Sequence, residues 1–119
     1  MTLKHDLESV GTAWKQNELD AIAERLGLVT LAGKEFLRFQ LANTLQFDRK
    51  QHDYGSKNIS AFGLFGVVVR MNDKFERVKN LFLKKRRAKV NESIQDNLRD
   101  VSVYGVIALM LDQGRWPNE

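Results

Sequence analysis

Hydrophobic residues recur along this chain at helical rather than strand spacing. Between residues 34 and 51 the apolar positions include Phe36, Leu37, Leu41, Leu45 and Phe47. They fit a period close to 3.6 residues better than the alternation of a strand. Alternating stretches are scarce elsewhere, and the single proline is Pro117, at the very end of the chain. The pattern therefore predicts an all-α fold that no internal proline interrupts.

Capping and stop residues set the bounds of two helices in the first half of the chain. The first predicted helix covers residues 18–26, with Asn17 as its N-cap and Gly27 as its stop. The second covers residues 34–51. A polar stretch of turn-forming residues follows at 52–58 and predicts a loop.

The second half of the chain predicts two more helices. Ser60 can cap a helix that reaches residue 83, and Asn91 can cap one that reaches residue 111 and stops near Gly114. The segment between them and the tail after Gly114 are expected to be irregular. We therefore expect a bundle of four to five helices, completed by association with further copies.

Length and composition indicate one ordinary globular domain. The chain has 119 residues, of which 43% are hydrophobic and 29% charged. We expect a single helical domain with an N-terminal extension over residues 1–35 and a core over 36–112. Cysteine is absent, which excludes thiolate metal sites and fits a reducing compartment. No signal-peptide core and no membrane-length apolar run is present, so we expect a cytoplasmic protein without membrane contact.

The charge balance is positive, at +4, and one basic run is dense. That run lies between Lys84 and Lys89. Positive charge attracts nucleic acid or phosphorylated small molecules. A surface with slightly more cations than anions explains the balance equally well, and both interpretations stay open.

Acidic residues are spaced for a shared helix face in two segments. Asp73 and Glu76 are three residues apart, whereas Glu92, Asp96 and Asp100 follow each other at intervals of four. Side chains at these spacings lie on one face of a helix. Two such faces brought together would form an oxygen-rich site that suits Mg²⁺ with phosphate oxygens as further ligands.

Each acidic face continues into apolar residues on the same side of its predicted helix. In the fourth helix the line of the carboxylates continues through Val103, Ile107 and Met110. In the third helix, the corresponding continuation is Phe62, Phe65 and Val69. An acidic face that continues into buried residues is itself expected to lie near the core. Because an unpaired buried charge is costly, we expect the carboxylates to have partners.

Those partners need not be a metal ion. Cations on the same two predicted helices include Arg70, Lys74, Arg77 and Arg99. They could pair with the acids of the two segments and neutralise them. On spacing alone, an ion-paired face is the more common outcome than a metal site.

The loop at residues 48–58 is a second candidate site. Cations, Tyr54 and Asn58 precede a predicted helix, where backbone N–H groups and lysines can hold phosphate and a tyrosine can stack on a base. A polar turn with Gly55 at positive φ is an equally good explanation.

Three blocks in order resemble the nucleotide modification associated domain 1 family. They are K-x-x-D-Y-G beginning at Lys50, R-x-x-D-K-x-x-R beginning at Arg70, and E-S-I-x-D-x-x-x-D-x-x-x-Y beginning at Glu92. The resemblance covers roughly residues 45 to 110. The family is common in phages and bacteria, which implies a location in the host cytoplasm if the chain is phage-encoded.

That family is similar to the MazG-type all-α pyrophosphohydrolases, which cleave a nucleoside triphosphate to a monophosphate and pyrophosphate. These enzymes bind Mg²⁺ through E-x-x-E and E-x-x-D motifs. The resemblance implies the metal ligands Asp73, Glu76, Glu92 and Asp96, with Glu76 and Glu92 as the catalytic residues, Mg²⁺ or Mn²⁺ as the cofactor, and a dimer or tetramer. The second motif departs from the pattern, with one extra residue between Glu92 and Asp96.

For such an enzyme we expect a set of nucleotide-binding residues. They are Lys50, Asp53, Tyr54, Lys57, Asn58, Arg70, Lys74 and Asp100. Two alternatives remain. The altered second motif favours a protein that binds a nucleotide without cleaving it, and the basic run from Lys84 to Lys89 suggests a nucleic-acid or host-protein binding module.

Overall fold

The computed structural model describes residues 15–83 and 94–117, and these residues form five helices and no strand. The helices are α1 Gln16–Leu26, α2 Leu31–Tyr54, α3 Lys57–Ser60, α4 Gly63–Leu83 and α5 Ile94–Asp112. The predicted all-α class is confirmed. The predicted bounds were wrong by a few residues at most ends, because helices extend past their strongest capping signals.

The first two helices begin earlier than predicted. α1 starts at Gln16, and its N-cap is Lys15, without a capping side-chain hydrogen bond, rather than Asn17. Gly27 ends the helix as expected. α2 is 24 residues long and passes through the predicted loop as far as Tyr54. Residues 52–54 therefore belong to a helix and not to a turn.

The predicted third helix begins later than expected, and a short helix precedes it where a loop and the cap Ser60 were predicted. α3 covers only four residues, and α4 begins at Gly63 after a turn at residues 61 and 62. Gly63 has φ +64, a conformation that is strained for any side chain with a Cβ. The glycine therefore ends one helical segment and permits the next, so Ser60 is not the N-cap of the long helix.

The fourth predicted helix is confirmed over its described part. α5 runs from Ile94 to Asp112, while the expected cap Asn91 lies outside the described residues. The helix ends just before Gly114, as predicted, and residues 115–117 have no regular structure.

The chain divides into two compact units, residues 1–50 and 51–119. In the first unit, Leu19, Ala23 and Ala42 are buried. The Nη2 of Arg38 on α2 donates a hydrogen bond to Oε1 of Gln16 on α1, at 2.7 Å. This hydrogen bond links the two helices.

The second unit is built on α4 and α5, which pack against each other. A Cβ added at Gly105 would lie 4.0 Å from Cε of Met71, and Nζ of Lys74 is 3.0 Å from a carboxylate oxygen of Asp100. From Met71 to Lys74 the residue number on α4 increases, while the contacted residue on α5 changes from Gly105 back to Asp100. The two helices are therefore antiparallel. Its buried apolar residues are Val67, Val78 and Ile107, of which Val67 is 0% exposed.

Within the described part of the chain, no helix is long and apolar enough to cross a membrane.

Candidate functional site

The central contact of the candidate site is an ion pair between α4 and α5. The ammonium of Lys74 lies 3.0 Å from Oδ2 of Asp100, and both side chains are mostly buried, with 21% and 31% of their surface exposed. Partial burial strengthens such a pair relative to one in open solvent, because water screens it less. The pair fixes one edge of the antiparallel helix hairpin.

Helical spacing places further charged residues on the same edge. At about 100° per residue, Arg70, Asp73 and Arg77 lie on the Lys74 side of the buried line through Val67. On α5, Asp96 lies one turn before Asp100. We call the six residues the charged flank. They are Arg70, Asp73, Lys74, Arg77, Asp96 and Asp100.

The predicted transition from acidic to buried residues is confirmed on α5. Asp96 and Asp100 are half-buried, and the line continues through half-buried Val103 to Ile107, which is 2% exposed. A partner offsets the cost of placing a carboxylate at this depth, because an unpaired buried charge is costly. Lys74 supplies such a partner for Asp100.

The same expectation is wrong for α4 in the single chain. Phe62 and Phe65 are 80% and 77% exposed, and Val69 is also exposed. Within residues 15–83 and 94–117, nothing packs against that side of the helix closely enough to bury it. Asp73 is exposed as well.

Glu76 is not part of the charged flank and forms an ion pair of its own. Its Oε1 lies 3.2 Å from Nζ of Lys79, one turn away on α4, and both side chains are about half exposed. A pair of this kind contributes little stability, about 0.2–0.5 kcal/mol. Glu76 is therefore accessible, but its carboxylate points to a neighbour on its own helix.

Arg99 lies next to the acidic residues of α5. Burial lowers the pKa of its guanidinium, and the nearby charges of Asp96 and Asp100 oppose that shift. The guanidinium is still fully protonated at neutral pH. The predicted neutralisation of the acids by cations is therefore confirmed for Asp100, and Arg99 adds positive charge beside both acids.

The expected metal site is not complete in the described residues. Within residues 15–83 and 94–117, no three Asp, Glu or His side chains lie together in a way that could hold a metal ion. Of the expected ligands, Asp73, Glu76 and Asp96 are described, whereas Glu92 lies outside those ranges. The described carboxylates form no cluster of three, and the ligand set stays a prediction.

The second candidate site is an exposed segment around the end of α2. Lys50, Asp53, Tyr54, Lys57 and Asn58 are all exposed, with Tyr54 at 77%. Gly55 has φ +73, as expected for a turn. We call residues 54–58 the 54–58 loop, which consists of the last residue of α2, the turn at Gly55 and Ser56, and the first two residues of α3. Its α3 is too short to offer the expected helix N-terminus for phosphate, so only the side chains remain as candidates.

Sequence patterns missed two polar residues in the interior. Ser56, in the 54–58 loop, is 3% exposed, and its carbonyl oxygen accepts a hydrogen bond from Nε1 of Trp116 at 3.2 Å. Asn97 is 1% exposed in the contact between α4 and α5. Ser56 lies in a turn, and Asn97 is a polar residue in a helix with polar and apolar residues on several sides. Helical spacing therefore identified neither as buried. The basic run at residues 84–89 lies outside the described ranges.

Comparisons with known proteins give one match. No curated protein and no solved structure matches the chain. The sequence model of the family described as nucleotide modification associated domain 1 matches residues 50–111, more than half of the chain. The match contains the 54–58 loop and the whole charged flank. The chain belongs to the nucleotide modification associated domain 1 family.

Proposed function

We propose that this chain binds a nucleoside triphosphate on the charged flank and cleaves it to a monophosphate and pyrophosphate. One observation carries the proposal. Half-buried Asp100 meets the cation Lys74 between two packed helices, with half-buried Asp96 one turn away, inside the segment that matches a nucleotide-associated family. Mixed charge in a partly desolvated position is a common setting for functional groups.

The cations of the flank suit a phosphate chain. Arg70 and Lys74 are half-buried, so their contacts with phosphate would be less screened than those of a surface lysine. Arg70 can bind phosphate oxygens through two N–H groups, and Lys74 can do so as a point charge. When phosphate binds Lys74, the ammonium would share its charge between the ligand and Asp100.

The exposed residues of the second site suit the rest of a nucleotide. Tyr54 presents an aromatic ring to solvent, and a base can stack on it. Lys50 and Lys57 supply positive charge, while Asp53 and Asn58 supply hydrogen-bonding groups. In this proposal the charged flank holds phosphate and the 54–58 loop contacts the base or sugar.

Dependence on Mg²⁺ or Mn²⁺ stays a prediction. Asp73, Glu76, Glu92 and Asp96 are the proposed ligands, and a bound divalent cation would neutralise phosphate charge and activate water. The described carboxylates do not group as a metal site, so we assign no step of the reaction to the ion. The similarity to MazG-type enzymes and a phage origin are likewise predictions.

A second candidate is nucleotide binding without cleavage. Asp100 is already engaged by Lys74 at 3.0 Å, and Glu76 is engaged by Lys79 at 3.2 Å. Carboxylates paired in this way are less available to a metal ion. This observation favours a protein that sequesters a nucleotide.

One experiment separates the two candidates. Purified protein is incubated with each dNTP and NTP in Mg²⁺, in Mn²⁺ and in chelator, while binding is followed by calorimetry and products by chromatography. Pyrophosphate and monophosphate that form only with the metal ion support cleavage. Binding that persists in chelator without product supports sequestration, and neither binding nor product contradicts both.

The proposal includes a second copy of the chain as a partner. On the edge of the hairpin opposite the charged flank, exposed apolar residues follow Met71 and Gly105 at helical spacing. We call these residues the apolar flank. They are Leu64, Val68, Phe75, Phe82, Leu98 and Leu109. On α4 they interleave with Met71 and Val78 at intervals of four and three, the spacing of helices that pair along a seam.

The size and charge of the apolar flank fit association with itself. From Leu64 to Phe82 it is about 27 Å long at 1.5 Å per residue, and two helices are roughly 20 Å wide. This footprint is of the order of the ~800 Å² that each partner contributes to a standard interface. The six residues that define the flank are apolar, and the exposed residues Lys79 and Asp112 lie at its margins, so two copies related by a two-fold axis would meet through an apolar centre. We place such an oligomer in the cytoplasm, in line with the absence of cysteine.

A further inference from the structure

The chain after α5 folds back onto the second unit rather than continuing away from it. Gly114 has φ +68, which only glycine adopts readily, and the N–H of Arg115 donates to the carbonyl of Met110 at 2.8 Å. The N–H of Gly114 donates to the carbonyl of Leu111 at 3.1 Å. This reversal directs the next residues towards the side of α5, and it determines where Trp116 lies.

Trp116 reaches the middle of the 54–58 loop. Its indole Nε1–H donates to the carbonyl oxygen of Ser56 at 3.2 Å, although the two residues are 60 positions apart. Trp116 is half-buried and Ser56 is 3% exposed. A hydrogen bond shielded in this way is worth more than one in open water, because water competes less for the carbonyl.

The loop is held at its centre while its side chains stay accessible. Tyr54, Lys57 and Asn58 are exposed on either side of buried Ser56. The same carbonyl of Ser56 also accepts from the backbone N–H of Ser60 at 3.2 Å, so α3 is connected to the same point. A shift of Ser56 would therefore move all three exposed side chains together.

We infer that Trp116 is a positioning residue that fixes the 54–58 loop in the conformation that contacts the nucleotide. The inference rests on the proposed function, since it takes Tyr54, Lys57 and Asn58 as nucleotide contacts. Trp116 lies beyond the segment that matches the family, residues 50–111. The tail of this chain thus supplies a constraint that the matched segment does not contain.

Substitution of Trp116 by Phe tests the inference with little risk to the fold. An aromatic ring remains, the N–H donor and the five-membered ring of the indole are lost, and the carbonyl of Ser56 keeps its bond from Ser60. The matched control is Gln113→Ala, an exposed residue in the same terminal turn. Loss of one neutral hydrogen bond, about 1 kcal/mol, corresponds to roughly a fivefold change in an equilibrium constant.

Two measurements are made on the full-length protein. Amide hydrogen exchange of residues 54–60 is expected to be about fivefold faster in Trp116→Phe and unchanged in Gln113→Ala. The dissociation constant for the best-binding nucleotide is expected to rise about fivefold. If that nucleotide is turned over, KM should rise with little change in kcat, which a general loss of stability would not produce.

The outcomes separate the inference from the function on which it rests. Exchange and affinity that both equal those of the wild type overturn the inference, and so does faster exchange with unchanged affinity. If the wild type binds no nucleotide, the proposed function fails. In that case faster exchange in Trp116→Phe still supports positioning of the loop by Trp116, and unchanged exchange overturns it.

Discussion

Lys74 on α4 and Asp100 on α5 form an ion pair of 3.0 Å that joins the two long helices of the second unit. Both side chains are mostly buried, so breaking the pair leaves a partly desolvated charge. We expect Lys74→Met and Asp100→Asn each to lower the free energy of unfolding by about 1 kcal/mol. In a double-mutant cycle measured by urea unfolding at fixed protein concentration, the coupling energy should be about 0.5–1 kcal/mol.

The exposed pair of Glu76 and Lys79 is the control for this prediction. It lies within one turn of α4 and is about half exposed, so its coupling energy should stay below about 0.5 kcal/mol. Salt at about 1 M shortens the Debye length to about 3 Å and should remove most of that smaller coupling. Equal coupling energies in the two pairs would contradict the prediction that partial burial strengthens the pair of Lys74 and Asp100.

Ile107 marks the point where the acidic line of α5 enters the core, and it is 2% exposed. Ile107→Ala should lower the free energy of unfolding by about 2–4 kcal/mol, because the side chain is lost and a cavity remains. The neighbouring residue Val106 is 44% exposed, and Val106→Ala should cost about 1 kcal/mol or less. Chemical denaturation of both variants gives the comparison, and similar losses would show that α5 is not buried along this line.

Phe75 lies in the middle of the apolar flank and is 53% exposed in the single chain. If a second copy covers the flank, Phe75→Glu would place a charge in the interface and shift the protein towards the monomer. Asn80→Glu is the control, since Asn80 is exposed on the other side of α4. Light scattering coupled to size-exclusion chromatography measures the mass. A wild-type monomer at micromolar concentration, or an oligomer that Phe75→Glu leaves intact, rules out this interface.

Much of the fold follows from local patterns in the sequence. The periodicity of apolar residues predicts helices throughout, and Gly27 and Gly114 end α1 and α5 as their position predicts. The division between α3 and α4 was not predictable in the same way. A helix pattern continues through Gly63, and only the positive φ of that glycine reveals the break.

The sequence predicts which residues belong to the candidate site, but it does not predict which of them form ion pairs. Spacing identifies Asp96, Asp100 and Lys74 as residues of two helix faces, yet it does not say which acid meets which cation. That choice depends on the antiparallel register of α4 and α5, which places Lys74 beside Asp100. The bond between Trp116 and Ser56 joins residues 60 positions apart and has no local signal at all.

The most direct test of nucleotide cleavage at the charged flank compares the wild type with Asp96→Asn. The control is Asp112→Asn, an exposed carboxylate at the end of the same helix. Release of monophosphate and pyrophosphate is measured for each dNTP and NTP with Mg²⁺. We predict turnover of at least one nucleotide, an unchanged rate in Asp112→Asn, and a loss of at least about tenfold in kcat/KM in Asp96→Asn, which corresponds to roughly 1.4 kcal/mol. Turnover that Asp96→Asn leaves intact, or a folded wild type that neither binds nor cleaves any nucleotide, would contradict the proposal.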